Sequence, residues 1–113
     1  MLSFAIVHEV CVVGSIGMSV TETETGRIGY WCARVARGRG FTTRALRVLC
    51  DYASGELGLE RLELITDPEN LASQRVAGKV GFRHEGALRT HLRHRDGRRR
   101  DSVMFSLLPG ELR

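Results

Sequence analysis

Lysine is almost absent from this chain: Lys79 is the only one, and the other 16 of its 17 basic side chains are arginine. Arginine carries a planar fork of N–H donors that matches phosphate geometry, so the bias points toward an anionic partner. The net charge of +4 is modest and decides nothing alone. Cysteine is also sparse. Cys11, Cys32 and Cys50 stand far apart, with no CxxC pair and no Cys/His cluster at zinc spacing. A disulfide framework and a metal site are therefore not expected, and the three thiols read as small buried hydrophobes in a reducing compartment. No apolar run approaches the roughly 18 residues that a membrane-spanning helix requires. The stretch 1–20 is interrupted by His8 and Glu9 and has no basic leader, so a signal peptide is not expected and the expected location is cytoplasmic. Repeats, low-complexity tracts and Pro/Ser-rich linkers are missing too, which leaves one domain in 113 residues.

What is present reads as alternating strands and helices. Phe4 to His8 and Val10 to Val20 suit two strands, with Gly14 and Gly17 marking bulges or close approaches. Arg27 to Ala33 is aromatic and suits a third. From Phe41 the period changes: Ala45, Leu46, Leu49 and Ala53 recur at helical spacing, giving a helix that Gly55 and Gly58 close. Leu62, Leu64 and Thr66 alternate as in a strand until Asp67-Pro68. Asn70 caps a second helix that runs to Gly81, with Gly78 inside it as a helix-weakening residue. Strands at about Arg83 to Arg95 and Arg98 to Leu108 flank Asp96-Gly97, a two-residue turn signal. The order is β-β-β-α-β-α-β-β, an α/β (α+β) class fold with a mixed sheet and two flanking helices.

Chemistry concentrates at Arg37-Gly38-Arg39-Gly40-Phe41-Thr42-Thr43, between the third strand and the first helix. Glycines let backbone approach a ligand closely, and a helix N-terminus adds N–H donors and partial positive charge, so a phosphate or pyrophosphate is the natural ligand. A plain surface turn with solvated arginines is the simpler reading of the same residues. A P-loop needs a lysine followed by Ser/Thr at the helix start, which is absent. A dinucleotide fingerprint needs a third glycine where Thr43 stands, and more βαβ units.

The third kind of phosphate loop, Gln/Arg-x-x-Gly-x-Gly/Ala, is that of the GNAT acetyltransferases, and Arg37, Gly40 and Thr42 fall on it, with threonine in place of the small last residue. The resemblance extends through Ile28-Gly29-Tyr30-Trp31, Asp67-Pro68-Glu69-Asn70-Leu71-Ala72-Ser73 and Val76-Ala77-Gly78-Lys79-Val80-Gly81-Phe82 to Met104-Phe105-Ser106-Leu107-Leu108. The chain thus resembles the RimJ/RimL-type branch of the GNAT N-acetyltransferases over roughly residues 12 to 108.

That resemblance implies a GNAT-like, mostly antiparallel sheet whose strands splay where acetyl-CoA enters. It implies cofactor contacts at Cys32, at Arg37, Gly38, Arg39, Gly40, Phe41, Thr42 and Thr43, and at Asn70, which matches an asparagine that bonds the pantetheine arm. Ser73 matches the position of a general acid for the CoA thiolate; its plainer role is to bond backbone in a first helical turn. The acceptor is expected to be a primary amine, either a protein N-terminus or a small molecule. Where many relatives carry a glutamate this chain has Arg27, which leaves Glu22, Glu24, His84 and Glu85 as the remaining candidates for a base. Arg44 also falls near the expected phosphates. Relatives begin with a further strand and two helices, so the resemblance implies a chain lacking them, exposed apolar surface, and association into a homodimer. Two rival readings are a CoA-binding or assembly fragment without turnover, and a basic RNA-binding hairpin over His91 to Arg100. The hairpin has no interleaved aromatics on which bases could stack, so nucleic acid is not the expected partner.

Overall fold

The first hairpin pairs Leu2–His8 (β1) with Cys11–Val20 (β2). Its two-residue turn holds Glu9 and Val10 at φ of 48° and 61°. Left-handed backbone suits the twist of a tight hairpin, but a β-branched valine adopts it only under strain. Gly26–Cys32 (β3) lies antiparallel on β2, and a Cβ at Gly14 would collide with the Trp31 carbonyl oxygen, so this glycine marks a close approach. A single 3₁₀ turn, Arg34–Ala36, leads into the helix Phe41–Gly55 (α1). Leu62–Thr66 (β4), the helix Leu71–Val80 (α2), Arg83–Arg93 (β5) and Arg99–Leu107 (β6) complete the chain. The computed structural model describes all 113 residues.

The six strands form one sheet in the order β1-β2-β3-β4-β6-β5, and β3/β4 is its only parallel pair. Alternate residues face the helices: Ile16 and Met18, Ile28, Leu62 and Leu64, then Val103, Phe105 and Leu107 all lie in the core. Leu46, Leu49, Cys50 and Ala53 of α1 and Ala77 and Val80 of α2 pack onto them. Leu46 and Leu62 are completely buried, worth about 1.5–3 kcal/mol each relative to exposure.

The feature that positions the site is an interruption in the pairing. β3 and β4 are in register only at Gly26↔Leu62, Arg27↔Glu63 and Ile28↔Leu64. Beyond that, Gly29 to Cys32 pair with β2 alone and Ile65 and Thr66 with β6 alone. The sheet therefore forks on the C-terminal side of Ile28 and Leu64.

Two expectations are corrected. Of the three cysteines expected to be buried only Cys50 is, because it faces the core from α1, whereas Cys11 opens β2 beside the exposed hairpin turn and Cys32 ends β3 half-buried. The last hairpin does not turn on two residues at Asp96-Gly97: its strands end at Arg93 and Arg99, and His94 N–H donates to the Arg98 carbonyl at 2.9 Å. A two-residue turn of that type needs positive φ at both central positions, and here only Gly97, at 83°, has it. The longer turn is closed by Gly97 N–H on the His94 carbonyl and by Arg98 N–H on the Asp96 carboxylate.

Candidate functional site

A cavity of about 560 Å³ occupies the fork between β3, the α1 N-terminus and α2. Gly38 and Gly40 turn the loop with φ of 79° and 80°, and a Cβ on either would meet nothing within 4 Å, so the space before them is open. Gly40 is the N-cap of α1 and offers no side-chain cap. The first bond of this turn runs from Arg44 N–H to the Gly40 carbonyl at 3.1 Å. The N–H groups that precede it are left by the helix for an outside acceptor, at the positive end of its dipole. Open space, N–H donors and flanking cations together fit a pyrophosphate.

Of the residues read from the sequence, Cys32, Arg37, Gly38, Gly40, Phe41, Thr42, Thr43, Asn70 and Ser73 all line this cavity. Arg39 does not. Its guanidinium lies 4.9 Å from the Phe41 ring centroid, with Nη2 3.5 Å from His8 Nε2. Arg44 stacks on the same ring at 5.3 Å and faces a different groove. Arg37 Nε donates to the Cys32 carbonyl at 3.2 Å, tying the loop to the splayed strand. Two cations were missed: Arg75 and Lys79 also line the cavity. Their spacing on α2 carries a signal, since Ala72, Arg75, Val76 and Lys79 recur at 3- and 4-residue intervals and share one helix face.

At the inner end, Ser73 meets Tyr30. Ser73 Oγ donates to the Tyr30 hydroxyl oxygen at 3.1 Å, and that hydroxyl donates to the Ser73 carbonyl at 3.0 Å. Asn70 Oδ1 accepts Ser73 N–H at 3.0 Å, which fixes the first turn of α2 and leaves the asparagine NH₂ as a donor. Ser73 is thus held by another side chain, not merely by backbone. Burial pushes the Tyr30 phenol up to about 12, with the Ser73 hydrogen bond opposing it only in part, so it stays protonated in the neutral range. Tyr30 is the third residue the sequence reading missed.

None of the four remaining base candidates lines the cavity. Glu22 and Glu24 lie in the β2–β3 turn, at the far end of β3 from the fork. His84 pairs with Phe105 and packs edge-on against its ring at 5.5 Å. Glu85 is gripped by both Arg61 terminal nitrogens at 2.8 Å and by the Ser106 hydroxyl. The Arg61 hydrogen bonds, then that of Ser106, pull its carboxyl down to about 2. Arg27 donates to Glu63 at 3.0 Å, and Arg61 donates to the other Glu63 oxygen at 2.9 Å. Burial raises the Glu63 carboxyl, but its hydrogen bonds from Arg61 and Arg27 outweigh that and leave it lowered.

A second groove, about 830 Å³, lies between β1 and α1 and is almost wholly apolar, with Phe4, Val7 and Val48 exposed beside it. No helix is long and apolar enough to cross a membrane.

Comparison with known proteins agrees with this geometry. The profile of the acetyltransferase (GNAT) domain matches residues 1–83. The chain is 38% identical over 102 residues to the uncharacterized N-acetyltransferase p20 of Bacillus licheniformis, covering 88% of this chain and 57% of that protein. Its structure superposes on Mycobacterium smegmatis RimJ in complex with CoA-disulfide with a TM-score of 0.89 at 34% identity, covering 97% of this chain and 54% of that one. It superposes on the ribosomal-protein-S5-alanine acetyltransferase of Vibrio fischeri with a TM-score of 0.83 at 25% identity, covering 93% and 58%. The chain spans about half the length of the curated relatives it matches. A forked sheet, a glycine loop at a helix N-terminus and a domain match over most of its length make this chain a member of the GNAT acetyltransferase family.

Proposed function

We propose that the chain binds acetyl-CoA in the forked cavity and moves its acetyl group to a primary amine, either a protein N-terminus or a small molecule. One GNAT domain over residues 1–113 is part of this proposal. The observation that carries it is the convergence of the fork, the N–H groups following Gly40, and the cations Arg37, Arg75 and Lys79 on one cavity.

The N–H groups from Gly40 to Thr43 suit the pyrophosphate, while Arg75 and Lys79 suit further phosphate charge. The unpaired edge of β3 at Tyr30 to Cys32 and the Asn70 NH₂ suit the pantetheine amides. Bound there, acetyl-CoA would supply the acetyl group and a thiolate leaving group. Tyr30 holds the Ser73 hydroxyl in place; to protonate the thiolate, Ser73 Oγ would turn its O–H from the Tyr30 oxygen to the sulfur and then take back a proton through water. The amine nitrogen forms its bond to the acetyl carbon as the carbon–sulfur bond breaks. The amine proton leaves to water, which restores the one that Ser73 gave up; no carboxylate lines the cavity to take it directly.

The same held carboxylates favour a second reading, CoA binding without turnover. Calorimetric titration with acetyl-CoA separates the two when followed by an amine acceptor screen. Micromolar binding by the wild type, lost in Gly40→Trp, is the expected result. A well-folded wild type that gives no heat overturns both readings, and binding without transfer to any amine leaves the second. The exposed Phe4, Val7 and Val48 also support self-association, which gel filtration at low micromolar concentration reads; a folded monomer there refutes it.

A further inference from the structure

The densest charge on the molecule lies outside the cavity, on the β5–β6 hairpin. Val103 of β6 is the last residue in register with β4, opposite Thr66. From there the two strands continue alone through Leu88↔Ser102, Leu92↔Arg100 and Arg93↔Arg99. The overhang therefore projects past the C-terminal end of β4, the end at which the fork opens. His94 Nε2 approaches Asp67 Oδ2 to 3.9 Å, three residues before Asn70 on the cavity wall.

Arg89, Arg93, Arg95, Arg98, Arg99 and Arg100 stand on this overhang, all exposed. Only Arg100 meets a carboxylate, that of Asp96 at 3.4 Å. Arg93 and Arg99 occupy directly opposed positions, an arrangement that destabilises a hairpin by like-charge repulsion. Both are oriented by backbone: Arg93 donates to the Gly97 carbonyl, Arg99 to those of Thr90 and His91. Oriented guanidinium forks without carboxylate partners are prepared for an external anion.

We propose that this strip docks the acceptor, and that the preferred acceptor is a polypeptide carrying acidic side chains a few residues beyond its reactive amine. The inference rests on the acetyl-transfer reading above. An extended strand advances about 3.3 Å per residue, so Arg99 lies roughly 13 Å beyond Val103. An extended peptide whose amine sits in the fork covers that distance in about four residues. Carboxylates near its third to sixth positions then fall against the arginines. RNA fits less well: residues 89–100 contain no Phe, Tyr or Trp for base stacking, and RNA brings no amine of this kind to the fork.

The test is fluorescence anisotropy on the CoA-saturated protein. The probes are peptides of about ten residues with a free N-terminus and a C-terminal label, carrying either Glu or Gln at positions three to six. One exposed arginine–carboxylate pair changes affinity roughly 1.5- to 5-fold, so three engaged together give on the order of tenfold. The Glu peptide is expected to bind on the order of tenfold tighter, losing that advantage in about 0.5 M salt and in Arg95→Glu/Arg98→Glu. Circular dichroism checks that this variant folds. Equal affinity for the two peptides overturns the proposal. So does a single-stranded RNA that binds tighter than the Glu peptide and is lost in the same variant. Acetyl-CoA calorimetry run in parallel reports on the cavity separately: its failure overturns acetyl-CoA binding, while the peptide comparison, repeated without CoA, still judges the strip.

Discussion

Replacing Tyr30 with phenylalanine deletes one oxygen that serves two contacts, accepting from Ser73 Oγ at 3.1 Å and donating to the Ser73 carbonyl at 3.0 Å. Each such bond contributes about 0.5–1.5 kcal/mol net. The lost contacts are partly offset because phenylalanine no longer buries a hydroxyl, so Tyr30→Phe should cost about 1–2 kcal/mol. Ser73→Ala removes only the shared bond and should cost about 1 kcal/mol. In the double variant the shared bond is counted once, which predicts a coupling of about 1 kcal/mol, in the range of side chains in contact. Urea melts of the four proteins measure it without requiring turnover. In a transfer assay, Ser73→Ala sets the ceiling, since a positioned acid contributes on the order of 10²–10⁴-fold. Tyr30→Phe keeps the acid but frees its rotamer, and should lower kcat about tenfold with KM for acetyl-CoA unchanged. A coupling below about 0.3 kcal/mol would mean that the two hydroxyls act independently and would refute the arrangement.

Gly78 is exposed in α2 and a Cβ there would meet nothing within 4 Å, so Gly78→Ala should add about 1 kcal/mol and raise Tm by several degrees; an unchanged or lower Tm contradicts this. Burial pushes the Cys50 thiol up to about 12, Cys11 is exposed and Cys32 lines the cavity. Alkylation followed by mass spectrometry should therefore label Cys11 first, Cys32 more slowly and Cys50 only on unfolding, with acetyl-CoA protecting Cys32 alone; an unprotected Cys32 in the loaded protein argues against the site. The folded Glu63 carboxyl lies below its usual 4.5, so its stabilisation is complete above that pH and is lost as pH falls toward the folded value. Glu63→Gln should cost about 1–3 kcal/mol at neutral pH and flatten the acid limb of stability below about 4.5, and urea melts across that range that keep the wild-type limb exclude the mechanism.

What the sequence made legible was local. The loop from Arg37 to Thr43 announces itself because positive-φ glycines and a helix start are encoded within seven residues. Both helices and all six strands follow from period and caps, with Asn70 and Gly81 closing α2 as their residue types require. Long-range pairing was not legible. Tyr30 and Ser73 are 43 positions apart, and nothing in either segment states that their hydroxyls meet. Arg27 reads alone as the loss of an acid, yet the parallel register sets it beside Glu63. Arg39 shows the converse, since it belongs to the motif while its side chain lies against the Phe41 ring and does not line the cavity.

The pairing of Arg27 with Glu63 also bears on why the sheet can fork. Arg27, Glu63, Arg61, Glu85 and Ser106 form a continuous chain of hydrogen bonds that touches β3, β4, β5 and β6. It crosses the middle rung of the three-rung β3/β4 ladder, one rung before the backbone pairing ends, and ties four strands there. Three parallel rungs hold two strands less firmly than antiparallel ones would, and the side-chain bonds of this clasp add to them. The clasp has a chemical consequence. A carboxylate shared by two arginines is stabilised in its charged form and is a poor base. The carboxylates of the clasp are therefore withdrawn from proton abstraction, and among the hydroxyls that line the cavity, those of Tyr30, Thr42, Thr43 and Ser73, it is Ser73 and Tyr30 that bond one another.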